Sequence, residues 1–397
     1  MIVTLKDITT KITKGTTPTS IGCKFEKSGI NFIKSESLVD GKTIDKSKFA
    51  FISERTHERL KRSQIEKNDI LFSMAGMFLG KTGIATAEVV PANTNQAVAI
   101  IRVDDTKANY EYVYYYLNQK SVIHTINTTS AQSAQPNINL KQIGEIKINL
   151  PDRKKQDQIV SLLSAIDLKI SNNVEINDNL EQQAATYFQE LFINNANPMW
   201  QISTISDLGT VVGGSTPSKT KPEYYTNNGI AWITPKDLSI NKSKFISHGE
   251  NDITELGLKN SSATVMPKDT VLFSSRAPIG YIAIASNEVT TNQGFKSVIP
   301  YSEIGTAFVY FFLKHSLPVI ESAASGSTFK EISGSAMKNI PAIIPDRNTL
   351  DQFNSFCAPI FAQQKILEEQ NHSLAMLRDS LLPKLMSGAI DIASIQL

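Results

Sequence analysis

Two stretches of this chain, residues 159–191 and 353–385, share one seven-residue beat, and that repetition limits the fold more than any other feature. In the first, one heptad position is filled by Ile159, Ile166, Asn173, Leu180 and Tyr187, and the position four residues on by Leu163, Ile170, Asn177, Ala184 and Leu191. A seven-residue apolar beat sustained over this length predicts a coiled-coil helix. In the second, Phe353, Ile360, Leu367, Leu374 and Leu381 follow the first series member for member at a spacing of 194 residues. One helix has been written twice. The neighbouring position is more polar in the second copy, with Cys357, Gln364, Asn371, Arg378 and Leu385. Polar residues in a seam cost stability but restrict register and partner choice, which suits two helices meant for each other.

The repeat reaches beyond the helices. LKDITTKITKGTTP (5–18) returns as ISDLGTVVGGSTP (205–217), in each case a short apolar element ending in a Gly, Thr and Pro turn. Gly29, Ile30, Phe32 and Ile33 return as Gly229, Ile230, Trp232 and Ile233. Asn68 and Asp69, with Leu71, Phe72 and Ser73, return as Lys268 and Asp269, with Leu272, Phe273 and Ser274, a turn feeding a buried strand. Thr94, Asn95 and Gln96 match Thr291, Asn292 and Gln293. The aromatic run YVYYYL (112–117) matches FVYFFL (308–313), and Leu150, Pro151, Asp152 and Arg153 match Ile344, Pro345, Asp346 and Arg347. A period of about 200 residues is a domain duplication, since solenoid repeats run roughly 20 to 50.

The expected fold is therefore α+β: two tandem mixed α/β domains joined by two long helices that pack as an antiparallel coiled coil with approximate two-fold symmetry. Residues 1–151 form the first globular part and 152–193 its long helix. Residues 194–199 (NNANPM) are a linker, 200–345 the second globular part, and 346–397 the second long helix with a C-terminal segment. The 33 residues from 159 to 191 span roughly 50 Å as a helix. That is somewhat more than one turn of B-DNA, at about 34 Å, so the pair has the dimensions of a ruler.

Charge divides with the segments. Residues 1–151 hold 20 Lys and Arg against 14 Asp and Glu, and residues 199–345 hold 12 against 11. The helical stretches are acidic, with 4 against 7 over 152–198 and 4 against 6 over 346–397. Positive charge on globular parts carried by acidic spacers fits polyanion binding by those parts. No apolar run approaches the roughly 20 residues needed to span a bilayer, and the N-terminus lacks a secretion signal, so a cytoplasmic location without membrane partners is expected. Cys23 and Cys357 have no disulfide or metal-site spacing and are read as packing residues.

Enzyme signatures are weak. AGMFLGKT (75–82) satisfies a relaxed phosphate-loop pattern, but Gly83, Ile84, Ala85 and Thr86 follow it instead of a helix start, and the second copy (SRAPIGYI, 275–282) lacks the Lys-Thr pair. A hairpin with a lysine is the expected structure. His57, His124, His248, His315 and His372 are scattered without ligand spacing. Asp152 and Asp346 fall just ahead of the long helices, where an acid suits the helix dipole. Neither a dinucleotide fingerprint nor an amino-methyltransferase Asn-Pro-Pro-aromatic motif is present. A chain without catalysis or metal is expected.

Loop-borne polar residues have the chemistry of base and phosphate reading. In the first copy these are Lys34, Ser73, Lys81, Asn95, Gln96, Ser133 and Gln135. In the second they are Lys219, Lys236, Ser274, Ser275, Arg276, Asn292, Gln293, Ser327 and Lys330. Arg takes guanine bidentately, Asn and Gln take adenine, and Ser, Thr and Lys hold phosphates. For each residue, a turn side chain bonding its own backbone is an equal alternative. Asn95, Gln96, Asn292 and Gln293, identical in both copies, lean to structure. The aromatic runs read as helix core rather than base-stacking platforms.

In this order and duplication the motifs resemble the specificity subunit of type I restriction-modification systems. The Gly-Ser/Thr-Thr-Pro turns (15–18, 214–217), the Pro-Asp-Arg helix starts (151–153, 345–347) and LRDSLLPKLMSGAI (377–390) carry the resemblance, which covers essentially the whole chain. It implies two target-recognition domains, each reading one half of an interrupted double-stranded DNA site, with the paired helices fixing the gap and docking two methyltransferase subunits. Restriction and translocase subunits join that core. It also implies that S-adenosylmethionine, ATP and Mg sites lie in those partners. A coiled-coil scaffold or phage-tail-like structural protein is the alternative from another class.

Overall fold

The computed structural model describes residues 1–39, 41–130, 137–326 and 330–392. It separates into two compact units, one of Met1–Leu168 with the chain from Leu374 onward, the other of Lys169–Ser373. Both boundaries fall inside the long helices. The fold is mixed helix and sheet.

The first unit runs through β1 (Ile2–Thr4), β2 (Thr9–Lys14), β3 (Ile30–Ile33), β4 (Ala50–Ile52), α1 (Glu54–Arg59), β5 (Gln64–Ile65), β6 (Ile70–Ser73), β7 (Thr82–Ile84), β8 (Ala92–Thr94) and β9 (Val98–Val103). Helices α2 (Tyr110–Leu117), α3 (Lys120–Ser130) and α4 (Leu140–Gly144) and strand β10 (Lys147–Asn149) follow, and then the long α5 (Arg153–Gln189), which belongs to this unit as far as Leu168. One sheet has the order β2-β9-β6-β7 and a second β4-β3-β8-β5, while β1 pairs with β10. Strand β6 is buried at every position, which is why its sequence ILFS shows no alternation.

The second unit repeats the plan. Its elements are β11 (Gln201–Thr204), β12 (Gly209–Gly213), β13 (Tyr225–Thr226), β14 (Ile230–Ile233), α6 (Pro235–Ile240), β15 (Phe245–Ile246), β16 (Asn251–Ile253), α7 (Glu255–Lys259), β17 (Val271–Ser275), β18 (Ile279–Ala285), β19 (Thr290–Thr291) and β20 (Lys296–Pro300). They continue through α8 (Thr306–His315), α9 (Leu317–Ser322), α10 (Gly334–Lys338), β21 (Pro341–Ile344) and the long α11 (Arg347–Ser387), which belongs to this unit as far as Ser373. The sheets are β12-β20-β17-β18-β15 and β13-β16-β14-β19, with β11 paired to β21. The parallel pairs β3 with β8 and β14 with β19 occupy the same place in the two plans.

The match at the strand-entry turn corrects the sequence reading by one residue. The left-handed position is Asn68 in one copy (φ 72°) and Asp269 in the other (φ 70°), so Asp269 answers Asn68 and Thr270 answers Asp69. Asn68 and Asp269 each give their backbone N–H to an alanine carbonyl, Ala85 and Ala285, at 2.8 Å. Only residue types that tolerate positive φ fit there.

Asp152 and Asp346 cap the two long helices, each accepting at 3.0 Å from the backbone N–H three residues on, of Lys155 and Thr349. In the first unit Ile159 and Leu163 of α5 share a core with Leu382, Leu385 and Met386 of α11 and with Tyr112 and Tyr115 of α2. In the second, Ala184, Phe188 and Phe192 share one with Phe353, Cys357 and Ile360 and with Phe308 and Phe311 of α8. Both aromatic runs are therefore core. Of the heptad residues, Ile159, Ile166, Phe353, Ile360 and Leu367 are buried, and Leu180, Tyr187, Leu374 and Leu381 half-buried. At the helix ends the deepest stripe slips by one residue, to Phe188 and Phe192 and to Leu382 and Met386, because 3.6 residues per turn drifts against a strict seven-residue repeat.

Cys357 is wholly buried, and burial pushes its thiol up to about 12, with Lys244 lowering and Glu181 raising it. Cys23 is half-exposed beside Arg59. Thiol titration of the native chain at pH 8 is expected to modify Cys23 alone, with Cys357 reacting only after guanidinium unfolding. Rapid native labelling of both thiols contradicts this packing.

Candidate nucleic-acid interface

In each unit a glycine turn is pressed against the Thr-Asn-Gln segment. Gly15 and Thr16 donate their backbone N–H groups to the carbonyls of Asn95 (3.0 Å) and Thr94 (3.1 Å), and Ser215 donates to Thr291 (2.9 Å). The glycines are required by this approach. A Cβ on Gly15 would lie 1.8 Å from the Thr94 carbonyl oxygen, and one on Gly214 would lie 2.1 Å from that of Asn292.

The same contacts sort the two candidate pairs that recur in both copies. Asn95 and Asn292 turn their side-chain oxygens back to the backbone N–H of Ala97 (3.1 Å) and Gly294 (2.8 Å), a turn-forming role. Gln96 and Gln293 are exposed, and each accepts the hydroxyl hydrogen of a turn threonine, Thr17 or Thr216. The glutamine amides are thus held at the surface with fixed direction.

In the second unit this edge opens onto a groove of about 820 Å³ lined by Thr216, Lys219, Trp232, Lys236, Arg276 and Gln293. Trp232 donates from its indole to the Ser215 carbonyl at 3.0 Å. Lys236 is bridged to Glu250 at 2.6 Å, which raises its pKa through that hydrogen bond, and Arg276 meets Glu331 at 3.2 Å. Lys219 is exposed. The structure brings together Lys219, Lys236, Arg276, Asn292 and Gln293, in a mixed-charge groove that fits a phosphate backbone with a base edge.

The serines do not join them. Ser73, Ser274 and Ser275 are wholly buried at the ends of β6 and β17. Ser274 accepts from the Tyr281 backbone N–H and donates to the Pro278 carbonyl, both at 2.8 Å. A strand-end serine that faces the core cannot touch a ligand, so these three are corrected to structural residues. Lys330 is exposed but does not line the groove. Ser133, Gln135 and Ser327 lie outside the described residues.

In the first unit Lys34 is half-buried, 3.7 Å from Glu36 and 5.5 Å from the Phe25 ring centre. Lys81 sits in the β6–β7 hairpin, where residues 75–82 pass through one 3-10 turn into a strand. Without a helix N-terminus, the phosphate-loop pattern has nothing to cradle a phosphate. The sequence reading missed the arginines. Arg62 donates to the Thr16 hydroxyl at 3.1 Å and Arg59 to the Ile21 carbonyl at 3.0 Å, holding the glycine turn from the side of α1. Both are exposed, and among the described residues no acid lies within salt-bridge reach of either. The signal was the cluster Arg55, Arg59, Lys61, Arg62 and Lys67 within a segment read only as part of a whole-domain charge count.

Comparison with known proteins fits this two-unit plan. A crystal structure of the type I restriction-modification S subunit from M. genitalium aligns with a TM-score of 0.58 at 16% identity, over 97% of this chain and 96% of that one, a likeness of fold. The family model for the type I restriction modification DNA specificity domain matches residues 1–182 and again 197–371. The chain belongs to that family. It is 43% identical over 162 residues to the MjaIX specificity subunit of Methanocaldococcus jannaschii, a match spanning 40% of this chain and 37% of the relative. It is 22% identical over 406 residues to the HindI specificity subunit of Haemophilus influenzae, spanning 83% of this chain and 88% of that one. Among the described residues no helix is long and apolar enough to cross a membrane.

The clamp is testable at adjacent glycines. Gly214→Ala is expected to cost about 3 kcal/mol in urea unfolding, the upper end for overpacking. Gly213→Ala, whose Cβ would meet nothing within 4 Å, should stay within about 0.5 kcal/mol of the parent. Equal effects would mean that the turn is not clamped.

Proposed function

We propose that this chain is the DNA-sequence-specificity subunit of a type I restriction-modification complex, with each globular part contacting one half of a split double-stranded target. The observation that carries this reading is the double match of the DNA specificity family, over residues 1–182 and 197–371, with one copy of the clamped turn in each stretch. Exposed Gln96 with Arg59 and Arg62 in one copy, and Gln293 with Lys219, Lys236 and Arg276 in the other, are the groups assigned to base edges and phosphates. Lys34, Lys81 and Lys330 remain secondary candidates for phosphate.

The long helices act as the ruler, as an antiparallel coiled coil that gives the chain approximate two-fold symmetry. Within the second unit, partner order supports this: Asn173 meets Asn371, Gln364 meets the Asn177 carbonyl, and Tyr187 meets Gln352, so α11 runs backwards as α5 advances. Exposed Val174, Ile176 and Ile366 on these helices give apolar surface on which the two methyltransferase subunits dock. The domain limits 1–151 and 200–345 and a cytoplasmic location belong to this reading. The chain itself is non-catalytic. Methyl transfer and cleavage, with their S-adenosylmethionine, ATP and Mg sites, belong to the methyltransferase and restriction subunits. A pure scaffold accounts for the helices but leaves the duplicated turn with its surface glutamine without a purpose.

Mapping methylated bases in DNA from cells expressing the chain with its partners is expected to yield one split motif with a single gap length. A continuous motif, or none, contradicts the proposal. In the purified complex, Arg59→Ala and Arg62→Ala should each lower the salt dependence of duplex binding by about one unit of log-log slope while leaving the motif unchanged.

A further inference from the structure

One feature outside the proposed reading surface recurs in both units. Lys42 and Lys244 occupy the same place in the plan, since the backbone carbonyl of each accepts from an isoleucine N–H one strand away, Ile84 at 2.9 Å and Ile284 at 2.7 Å. Each then reaches away from that strand to where the globular part meets the long helices. The Lys42 ammonium lies 2.6 Å from Glu111, 2.8 Å from the Ser164 hydroxyl of α5 and 4.5 Å from the centre of the Tyr115 ring. The Tyr115 hydroxyl donates to Asp167 of α5, whose other oxygen accepts from Arg378 of α11 at 3.0 Å.

Lys244 is buried deeper, with 6% of its side chain exposed. Its ammonium meets Glu181 of α5 at 2.5 Å and the Gln364 side-chain oxygen of α11 at 2.8 Å, beneath Phe361, whose ring centre is 3.7 Å away. Glu368 of α11 accepts the backbone N–H groups of Lys244 (2.7 Å) and Phe245 (3.0 Å). Burial pushes the Lys244 ammonium down to about 8, while Glu181 pulls the other way. The acids differ between copies although the lysine does not: Glu111 and Asp167 serve one, Glu181 and Glu368 the other.

An apolar contact between a globular part and a helix pair leaves rocking and sliding cheap, whereas an ammonium held by directed acceptors, half-buried at Lys42 and buried at Lys244, does not. We propose that Lys42 and Lys244 are positioning residues that fix the angle at which each globular part sits on the long helices, and through it the gap between the two half-sites. The proposal rests on the specificity-subunit reading above. One base pair of gap moves a half-site by about 3.4 Å and turns it by about 35°, so a head that rocks accepts neighbouring gaps that a pinned head rejects.

The test uses the complex with its methyltransferase partners, assayed on duplexes carrying the mapped motif with its own gap and with one base pair added or removed. Lys42→Met and Lys244→Met are expected to keep both half-site sequences while the preference for the proper gap falls about tenfold or more, equivalent to about 1.4 kcal/mol. Lys244→Met leaves Glu181 with Lys314, at 2.6 Å, as its ammonium partner, and adding Glu181→Gln removes that half-compensated carboxylate as well, with the same relaxation expected. Unchanged gap preference in Lys42→Met and in the double variant, whatever their melting temperatures, overturns the proposal. A parent complex that methylates no split motif instead overturns the function on which it rests.

Discussion

Burial of one stripe along each long helix is the constraint on which the remaining structure hangs. Phe188 and Phe192 lie within 6 Å of the Phe353 ring centre, and both face Phe308 of α8. The stripe therefore belongs to a domain core as well as to a helix contact. Ile159 and Leu163 play the same part in the first unit, against Leu382 and Leu385. Each globular part completes its core only by wrapping helix, so the helices are structural members of the units rather than tethers between them.

The middle of the seam is polar for a reason the same geometry supplies. Asn173 is wholly buried and gives its amide to Asn371 at 2.8 Å, while Gln364 spans from the Asn177 carbonyl to the Lys244 ammonium. A buried amide pair satisfies its donors in one register and strands them in any other, so it restricts alignment at a cost in stability. The Asn173 side-chain oxygen has no partner among the described residues, a mark of that cost.

Much of this was legible from the residues. The seven-residue beat located both helices because heptad spacing is a direct image of a buried stripe, and the duplicated turns located the two glycine clamps because positions 15 and 214 admit only glycine against a neighbouring carbonyl. What stayed hidden depends on the third dimension. Ser73, Ser274 and Ser275 read as loop hydroxyls because they follow apolar runs, yet they end fully buried strands, and side-chain direction at a strand end is not written in residue type. Lys42 and Lys244 look like surface lysines, since the acids that hold them come from segments more than 60 residues away. Arg59 and Arg62 were lost in a domain-wide charge count, although what distinguishes them is their grip on the turn at Thr16 and Ile21.

Two like units, each with its own clamped turn and lysine seat, are the basis for proposing that recognition is separable by halves. The most direct measurement replaces residues 1–151 with the corresponding part of a family member that reads a different sequence, followed by methylation mapping of the hybrid complex. One half of the split motif should change to that of the donor, with the other half and the gap retained. A hybrid in which both halves change, or in which neither does, would contradict independent reading by the two units.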